Sequence, residues 1–320
     1  MKRREPYSSV FSGNLNVFVT RRAAEGKTTR TCMGAFSIFD GFCVDHGIAT
    51  PVFTQDMGYD WMRSRPNESD KTRENRIYWV NRLLLQMKED GFNVHPTGTV
   101  RVVDKFAPHI YTAEETAKYF LAVDSYDVWR QPYFRMVLPI LFRVLLGCGT
   151  RLHETLMIRK EDVDLEIGTL RLRETKTAKE RIVAMPANLS GMMAKYAEKC
   201  FFLKEDQSCL FSKPNGEPIR DRFIYGVHRN VLQLAGIPFI GGGKGPRVHD
   251  WRHTFAVRAY KHMHDSGMDM YVSLPVLSTY LGHSDIIATE RYVRIAVDAY
   301  PYLEDSINKH LQEITKEAEA

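Results

Sequence analysis

The chain has 320 residues, 44% of them hydrophobic and 26% charged, which is close to the average for globular proteins. At roughly 100–200 residues per domain this length predicts two domains, and the apolar content excludes a largely disordered chain. The longest apolar run, residues 136–147, is too short to span a bilayer and contains Arg143. The basic N-terminus precedes no apolar segment, so we expect neither a membrane protein nor a signal peptide.

Cysteine and charge content narrow the class further. The five cysteines are odd in number, widely spread and form no C-x-x-C pair, which predicts reduced thiols in a cytoplasmic protein. The net charge of +5 permits a nucleic-acid partner without requiring one. Residues 1–105 hold 16 Lys and Arg against 12 Asp and Glu, so most of the excess lies in the first third.

Two interpretations fit this basic first third. The side chains either contact DNA phosphates, which fixes position without reading sequence, or lie on ordinary solvated helix faces. The candidate phosphate contacts are Arg21, Arg22, Lys27, Arg30, Lys71 and Arg73.

Helical spacing of apolar residues dominates this part of the chain. The helices it predicts cover residues 28–46, 53–63 and 70–90, with room for another before residue 21. Ser69 or Asp70 provides an N-cap for the last of them, and a glycine follows the first and the last, as expected at helix ends. The natural assembly of such helices is a small all-helical domain.

A domain boundary is expected near residue 105. Residues 93–108 lack helical spacing and contain two prolines and a glycine, which is typical of a linker. The sequence therefore predicts one domain over residues 1–105 and a second over residues 106–320. In the second, Thr112 and Glu115 form a capping box that begins a helix.

The second domain is predicted to be mainly helical. Its expected helices cover residues 112–123, 131–147, 187–200, 220–235, 250–265, 271–281, 287–294 and 298–316. Residues 170–173 and 181–185 alternate or run apolar around the polar turn 174–180, which predicts a small β-hairpin.

Polar groups interrupt these apolar helices at several places. Arg151 and Glu154 are three residues apart and share a helix face, for which a surface ion pair is the ordinary explanation. His283 follows a glycine at the end of a predicted helix, and Tyr292 comes nine residues later. Taken singly, each of these residues also fits a purely structural role.

Two further patterns bear on metal and nucleotide sites. His249 and His253 are four residues apart, but the H-E-x-x-H zinc pattern needs a glutamate where Asp250 stands. His249 and Arg252, three apart, point the same way along a helix. The glycine-rich residues 241–246 lack the spacing of a P-loop, so no nucleotide site is indicated.

Together these segments resemble the tyrosine recombinase (phage integrase) family. The matching stretches are GTRLHE, ETKTAKERIVAMP, HDWRHTFA and LGHSDIIATERYV. The match is close over residues 112–295. The first hundred residues resemble the family only in general character, as a helical DNA-clamping domain. The resemblance implies a mainly α fold: an N-terminal helical DNA-clamp (SAM-like core-binding) domain and a mainly α catalytic domain with a small β-hairpin or sheet. Trp251 stands where family members often have leucine.

The resemblance also implies how a scissile phosphate is held. Arg151 and Arg252 take the family's two arginine positions, whose guanidinium groups grip the non-bridging oxygens and stay charged at any working pH. His249 and His283 take the histidine positions, which hydrogen-bond the phosphate and assist proton transfer. Glu154 matches the acidic position that supports these groups from behind.

The reaction implied is covalent catalysis on double-stranded DNA. Tyr292 matches the nucleophile that forms a 3′-phosphotyrosyl link, and Lys176 matches the acid that protonates the departing 5′-oxygen. Lys179 is the alternative to Lys176. Lys179 and Arg181 are also candidate contacts to the DNA backbone, although solvated charge explains them equally well. No ATP, metal or other cofactor is expected.

The biological role stays open between several alternatives. Integration or excision of a mobile element is the first hypothesis, and chromosome-dimer resolution of the Xer type is the second. A DNA-binding structural partner in a multi-recombinase complex and a type IB topoisomerase are the rivals. We expect no separate arm-site-binding domain. The apolar pattern at 297–314 either packs on its own core or, as the family suggests, docks into a neighbouring protomer of a tetramer on two DNA sites.

Overall fold

A computed structural model describes residues 7–100, 107–127, 131–173, 180–239, 241, 245–283 and 287–303 of the chain. The chain divides into two compact units, Met1–Phe106 and Ala107–Ala320. Among the described residues, no helix combines the length and apolar character needed to cross a membrane.

The described residues of the first unit, 7–100, form four helices. They are Ser12–Ala24 (α1), Arg30–Asp45 (α2), Gln55–Met62 (α3) and Asp70–Glu89 (α4). Aromatic side chains of α2 fill its core, where the rings of Phe39 and Trp61 meet edge to face with centroids 5.2 Å apart. The predicted helices are confirmed to within two residues, and Ser69 is the cap of α4, since its Oγ accepts a hydrogen bond from Thr72 N at 3.2 Å.

The second unit is a helical body with a small sheet. Its helices are Ala113–Ser125 (α5), Pro132–Gly147 (α6), Leu152–Leu156 (α7), Ala187–Cys200 (α8), Asp221–Leu234 (α9), Asp250–Asp265 (α10), Met270–Leu281 (α11) and Ile287–Ala299 (α12). Its strands are Val163–Asp164 (β1), Thr169–Leu172 (β2) and Arg181–Ala184 (β3). The sheet is antiparallel in the order β1-β2-β3, with Leu170 opposite Val183. The predicted strand pair is confirmed, whereas β1 was missed because two residues carry no alternation.

The core of the second unit fixes the start of α10. Trp251 is fully buried and its ring stacks on Tyr111 at 3.7 Å, with 5° between the planes. The predicted capping box is confirmed, because Thr112 Oγ1 accepts from Glu115 N at 3.1 Å and Glu115 Oε2 accepts from Thr112 N at 2.9 Å. This packing anchors the first turn of α10, which carries Arg252, against the body of the unit.

The end of the described chain differs from the prediction. The sequence predicted helices at 287–294 and 298–316, but α12 is continuous to Ala299. Pro301 has no N–H for a further helical hydrogen bond, which explains why the helix ends there. Leu303 is fully buried in the same cluster as α10 residues such as Tyr260, so residues up to 303 pack on their own unit. Most of the predicted terminal helix lies outside the described residues.

A buried histidine makes stability depend on pH. His228 of α9 is 2% exposed, and its Nδ1 lies 2.7 Å from Tyr119 Oη. Burial lowers the pKa of His228 to about 3, whereas the unfolded value is about 6.5. On acidification the unfolded state takes up the proton first, so stability falls as the pH drops from about 6.5 towards 3.

We therefore expect His228 alone to remove about 2 kcal/mol between pH 7 and pH 5. Denaturant unfolding at the two pH values measures this difference in wild type, in His228→Phe and in His262→Phe, a control on an exposed histidine. The pH-dependent difference should shrink in His228→Phe and stay in the control. An unchanged difference in His228→Phe would contradict the assignment.

Candidate active site

Loops and helix ends of the second unit bring the predicted site residues together. Arg151 precedes α7, His249 precedes α10 and Arg252 lies in the first turn of α10. His283 follows Gly282 at the end of α11, and Tyr292 lies in α12. Lys176 and Lys179 lie outside the described residues.

A buried carboxylate organises one side of the site. Glu154 is 3% exposed. Its Oε1 accepts a hydrogen bond from Arg151 Nη1 at 2.6 Å, and its Oε2 accepts from Arg181 Nη2 at 2.7 Å. Burial raises the pKa of Glu154, but the hydrogen bonds and charges of Arg181 and Arg151 outweigh it and hold the pKa at about 2. The carboxylate therefore stays ionised and fixes both guanidinium groups.

Arg181 belongs to this cluster. Besides Glu154 it donates from Nε to Tyr280 O at 3.1 Å, and only 11% of its side chain is exposed. From the sequence it is, with Lys179, a candidate contact to the DNA backbone, and solvated charge explains it equally well. In the structure its side chain contacts Glu154 and the end of α11.

Arg252 connects three segments of the site through the contacts of its guanidinium group. It is 1% exposed, donates from Nη1 to Gly149 O at 2.8 Å and from Nη2 to Leu281 O at 2.7 Å. Its Nη2 also lies 3.1 Å from His283 Nε2. Burial and then the charge of Arg151 lower the pKa of Arg252 to about 10, so the group remains a cation at neutral pH.

The contacts of His283 define its tautomer. Arg252 can only donate, so His283 Nε2 accepts, and Nδ1–H donates to the buried Thr289 Oγ1 at 2.8 Å. Burial and then the charges of Arg252, Arg151 and Arg181 lower the pKa of His283 to about 4. His283 is therefore a neutral imidazole with its proton on Nδ1.

Tyr292 is buried between two imidazole rings. It is 3% exposed, and its ring stacks on His283 with centroids 6.0 Å apart and 9° between planes. Its Oη lies 3.1 Å from His253 Nδ1. Burial raises the pKa of Tyr292, and the charges of Arg252 and Arg151 act in the opposite direction. The hydroxyl therefore keeps its proton in the free protein.

His253 is the contact that the sequence did not predict. In the sequence its only notable feature is its spacing of four residues from His249, whereas in the structure its Nδ1 lies 3.1 Å from Tyr292 Oη. The rings of His249 and His253 also meet edge to face at 4.8 Å. Partial desolvation, and then the charges of Arg252, Arg247 and Arg151, lower the pKa of His249. The signal available in the sequence was spacing alone: His253 follows Arg252 directly.

Arg151 and His249 open onto a cleft of about 800 Å³. Arg229 and Arg247 line the same cleft, as do the rings of Tyr225 and Phe239. Several guanidinium groups beside aromatic rings make this a favourable surface for a phosphodiester backbone.

The candidate phosphate contacts of the first unit differ in exposure. Arg21, Lys27, Arg30 and Lys71 are exposed. Arg22 and Arg73 are partly buried and donate to the backbone, from Nε to Thr28 O at 2.8 Å and from Nε to Met62 O at 2.7 Å.

A glycine beside Arg252 has no room for a side chain. Gly149 has φ +60°, and a Cβ there would lie 2.2 Å from Phe255 Cδ1. We expect Gly149→Ala to destabilise the protein by at least about 2 kcal/mol, from left-handed strain together with the clash, and to shift the carbonyl that holds Arg252. Gly191→Ala, in an open position of α8, is the matched control and should be neutral or stabilising. Thermal unfolding compares them, and equal melting temperatures would refute the expectation.

Sequence comparison places this constellation in a known family. The model of the phage integrase family matches residues 123–298, more than half of the chain. Two proteins of Sinorhizobium fredii, both named as integrase/recombinases, are among the relatives. The first, y4rE, is 31% identical over 170 residues, which cover 52% of this chain and 54% of that protein. The second, y4rB, is 26% identical over 269 residues, which cover 76% and 80%.

Solved structures show the same fold. The Tn1549 transposon integrase in complex with transposon right end DNA matches with a TM-score of 0.67 at 15% identity, over 87% of this chain and 94% of that one. The recombinase XerH bound to a palindromic difH substrate matches with a TM-score of 0.66 at 16% identity, over 87% and 78%. The predicted mainly α fold with a small antiparallel sheet is confirmed. With Arg151, His249, Arg252, His283 and Tyr292 all inside the matched residues, the chain belongs to the phage integrase family of tyrosine recombinases.

Proposed function

We propose that the chain is a site-specific DNA recombinase that cuts and rejoins strands through a 3′-phosphotyrosyl intermediate. One observation carries this: the buried Tyr292 stacks on His283, and its hydroxyl lies within reach of the buried Arg252 guanidinium, whose charge and hydrogen bond oppose the rise in pKa that burial causes. A tyrosine beside a desolvated guanidinium suits attack on a phosphodiester, whose transition state gains negative charge.

Two arginines would hold the scissile phosphate. Glu154 occupies Arg151 Nη1, which leaves other N–H groups of this guanidinium for non-bridging oxygens at the cleft. Arg252, fixed by Gly149 O and Leu281 O, adds a second cation in a position that needs no reorganisation when charge develops.

Phosphate binding would change the state of His283. To donate to a phosphate oxygen from Nε2, the ring must gain a proton there, although Nε2 accepts from Arg252 in the free protein. The negative charge of the phosphate raises the pKa of a neighbouring imidazole. Binding and proton uptake by His283 are therefore coupled.

The covalent step conserves the energy of the DNA backbone bond. Tyr292 Oη gives up its proton to a neighbouring base and forms a bond to phosphorus as the bond from phosphorus to the 5′-oxygen breaks, and the 5′-oxygen takes a proton from Lys176. A 5′-hydroxyl of another strand reverses the step. Because one phosphoester replaces another, no ATP is needed.

A covalent adduct tests this function. The Tyr292→Phe chain first selects its binding sequence from a library of random duplexes, and a duplex of that sequence with a nick beside the cleavage point then traps the product. Wild type should form a protein–DNA adduct, and Tyr292→Phe should bind the duplex but form none. Tyr302→Phe, which removes the hydroxyl bonded to Asp265, is the matched control. Absence of adduct with wild type on the selected duplex would refute the proposal.

A DNA substrate with sulfur in place of the leaving 5′-oxygen identifies the residue that protonates the leaving group. A thiolate leaves without a proton, so we expect Lys176→Ala to lose about 10²–10⁴-fold in cleavage of the ordinary duplex and to recover on a 5′-bridging phosphorothiolate. Lys179→Ala should show neither effect. Gel analysis of adduct formation measures both. If Lys179→Ala shows the loss and the recovery instead, Lys179 is the acid.

We further propose a role in integrating or excising a mobile element, as a homo-tetramer on two DNA sites, with exchange of residues beyond 303 between protomers. The long alignment with y4rB and the match to the Tn1549 integrase support this role. Xer-type resolution is the second candidate, supported by the similar match to XerH. Cells that express the chain distinguish the two roles. Excised circles would indicate the mobile-element role, and resolution of plasmid dimers would indicate the Xer-type role.

A further inference from the structure

An unassigned histidine contacts the reacting atom of the site. His253 Nδ1 lies 3.1 Å from Tyr292 Oη, within hydrogen-bond distance. It is held there by the packing of α10 against α12, both of which contribute to one apolar cluster. The contact is thus part of the core of the second unit and does not depend on a loose surface loop.

The surroundings of His253 keep it neutral. Burial, followed by the charges of neighbouring groups, lowers the pKa of His253 to about 3. The titratable and charged groups that face it are His249, Arg247, Arg291, Arg252 and Tyr292. One ring nitrogen of a neutral imidazole has a free lone pair, and the raised pKa of Tyr292 keeps the proton on its hydroxyl, which can therefore donate to that nitrogen.

The other two histidines are less suited to take the proton of Tyr292. His283 uses Nδ1 for Thr289 and Nε2 for Arg252, and it meets Tyr292 face to face. His249 meets the ring of His253, one step further from the hydroxyl. Among the described residues, His253 is the imidazole whose nitrogen reaches Oη.

We propose that His253 positions the Tyr292 hydroxyl and accepts its proton as Oη attacks phosphorus. The bond from Oη to phosphorus forms, the bond from phosphorus to the 5′-oxygen breaks, the Oη proton moves to His253 Nδ1, and Lys176 protonates the 5′-oxygen. In religation the imidazolium returns the proton to Oη. The inference rests on the proposed recombinase function.

The scissile phosphate makes His253 a stronger base. In the free protein the guanidinium groups of Arg252, Arg247 and Arg291 disfavour its protonation. A bound phosphate adds negative charge beside them, which raises the pKa of the imidazole. A bound phosphate therefore promotes proton transfer from Tyr292 to His253, which links ionisation of the nucleophile to the presence of DNA.

The test uses the full chain and the nicked duplex on which wild type forms its adduct. His253→Ala removes the imidazole, His253→Asn keeps a polar group without the basic nitrogen, and His262→Asn is a control on the exposed histidine of the same helix. We expect both His253 variants to slow adduct formation about 100-fold or more, with DNA affinity within about threefold of wild type. The control should match wild type.

Three readouts separate proton transfer from a structural role. Added imidazole should restore part of the rate of His253→Ala. The 5′-bridging phosphorothiolate should not restore it, because loss of the acceptor leaves the leaving group unaffected. Without the acceptor the tyrosine must ionise to solvent, so the rate of His253→Asn should rise about tenfold per pH unit between pH 7 and 9, while wild type varies less.

Several results would overturn the proposal. One is adduct formation by His253→Ala within about threefold of wild type. Another is an equal loss in both variants with no rescue by imidazole and no change of pH profile, since this indicates packing alone. If a variant does not fold, the ¹⁵N chemical shifts of the His253 ring are compared between folded wild type and Tyr292→Phe. Identical shifts would exclude the hydrogen bond between His253 and Tyr292. Failure of wild type to form an adduct would instead refute the recombinase function itself.

Discussion

Replacement of Arg252 by lysine is expected to slow strand cleavage by about 10²–10³-fold, although it retains a basic side chain. The guanidinium donates to Gly149 O and Leu281 O from different nitrogens and still faces His283. An ammonium group is a compact charge that cannot span these acceptors in one plane. The substitution therefore leaves a buried carbonyl without its donor, which costs about 1–3 kcal/mol.

The charge itself is also at risk in this variant. Burial already lowers the pKa of the Arg252 guanidinium to about 10. Lysine starts from a lower ordinary value, and burial lowers the pKa of an ammonium group in the same direction. We therefore expect the lysine to lose its proton more readily, so that cleavage by Arg252→Lys falls further as the pH rises.

Single-turnover adduct formation on the nicked duplex measures this effect. Arg135→Lys is the matched control, because Arg135 pairs with Asp127 on the surface of the same unit and 54% of its side chain is exposed. The control should cleave like wild type. A rate for Arg252→Lys within tenfold of wild type, at unchanged DNA affinity, would contradict the role of the guanidinium.

Local patterns in the sequence sufficed for much of the site. The spacing of three residues along a helix predicted that His249 and Arg252 share a face. The order of the residues along the chain matched the family, and this resemblance placed Tyr292 in the same site. The contact of His253 with Tyr292 depends on how α12 packs against α10, residues 39 apart in sequence. No periodicity encodes a contact at that distance, so His253 was considered only for zinc.

The fold shows the same division between local and distant information. Helices with long apolar stripes, such as α2 and α4, were predicted to within two residues because their periodicity is strong. The two-residue strand β1 exists only through pairing with β2, and its sequence has no pattern of its own. Arg181 is a candidate DNA contact in the sequence because it is a basic residue of the predicted hairpin, and no local pattern shows that the carboxylate of Glu154 lies beside it.

Replacement of Glu154 by glutamine is expected to lower the free energy of unfolding by about 3–5 kcal/mol, because it leaves two largely buried guanidinium groups without their counter-charge. Asp162→Asn is a matched control, since Asp162 is also buried and pairs with Arg173 at 2.5 Å in the same unit. Both variants should lose stability. Only Glu154→Gln should slow adduct formation, by about 10–100-fold, because it also releases Arg151 from its fixed position at the cleft.

The pH dependence of this loss separates charge from shape. The pKa of Glu154 is about 2 in the folded chain and about 4.3–4.5 when unfolded. Its contribution is therefore complete above about pH 5 and is lost as the pH falls towards 2. The difference in unfolding free energy between wild type and Glu154→Gln should shrink by about 1 kcal/mol between pH 6 and pH 4. Denaturant unfolding of both chains at the two pH values measures it, and the protonation of His228, on which Glu154 does not act, cancels between them. A constant difference would mean that the carboxylate acts through its shape and not through its charge.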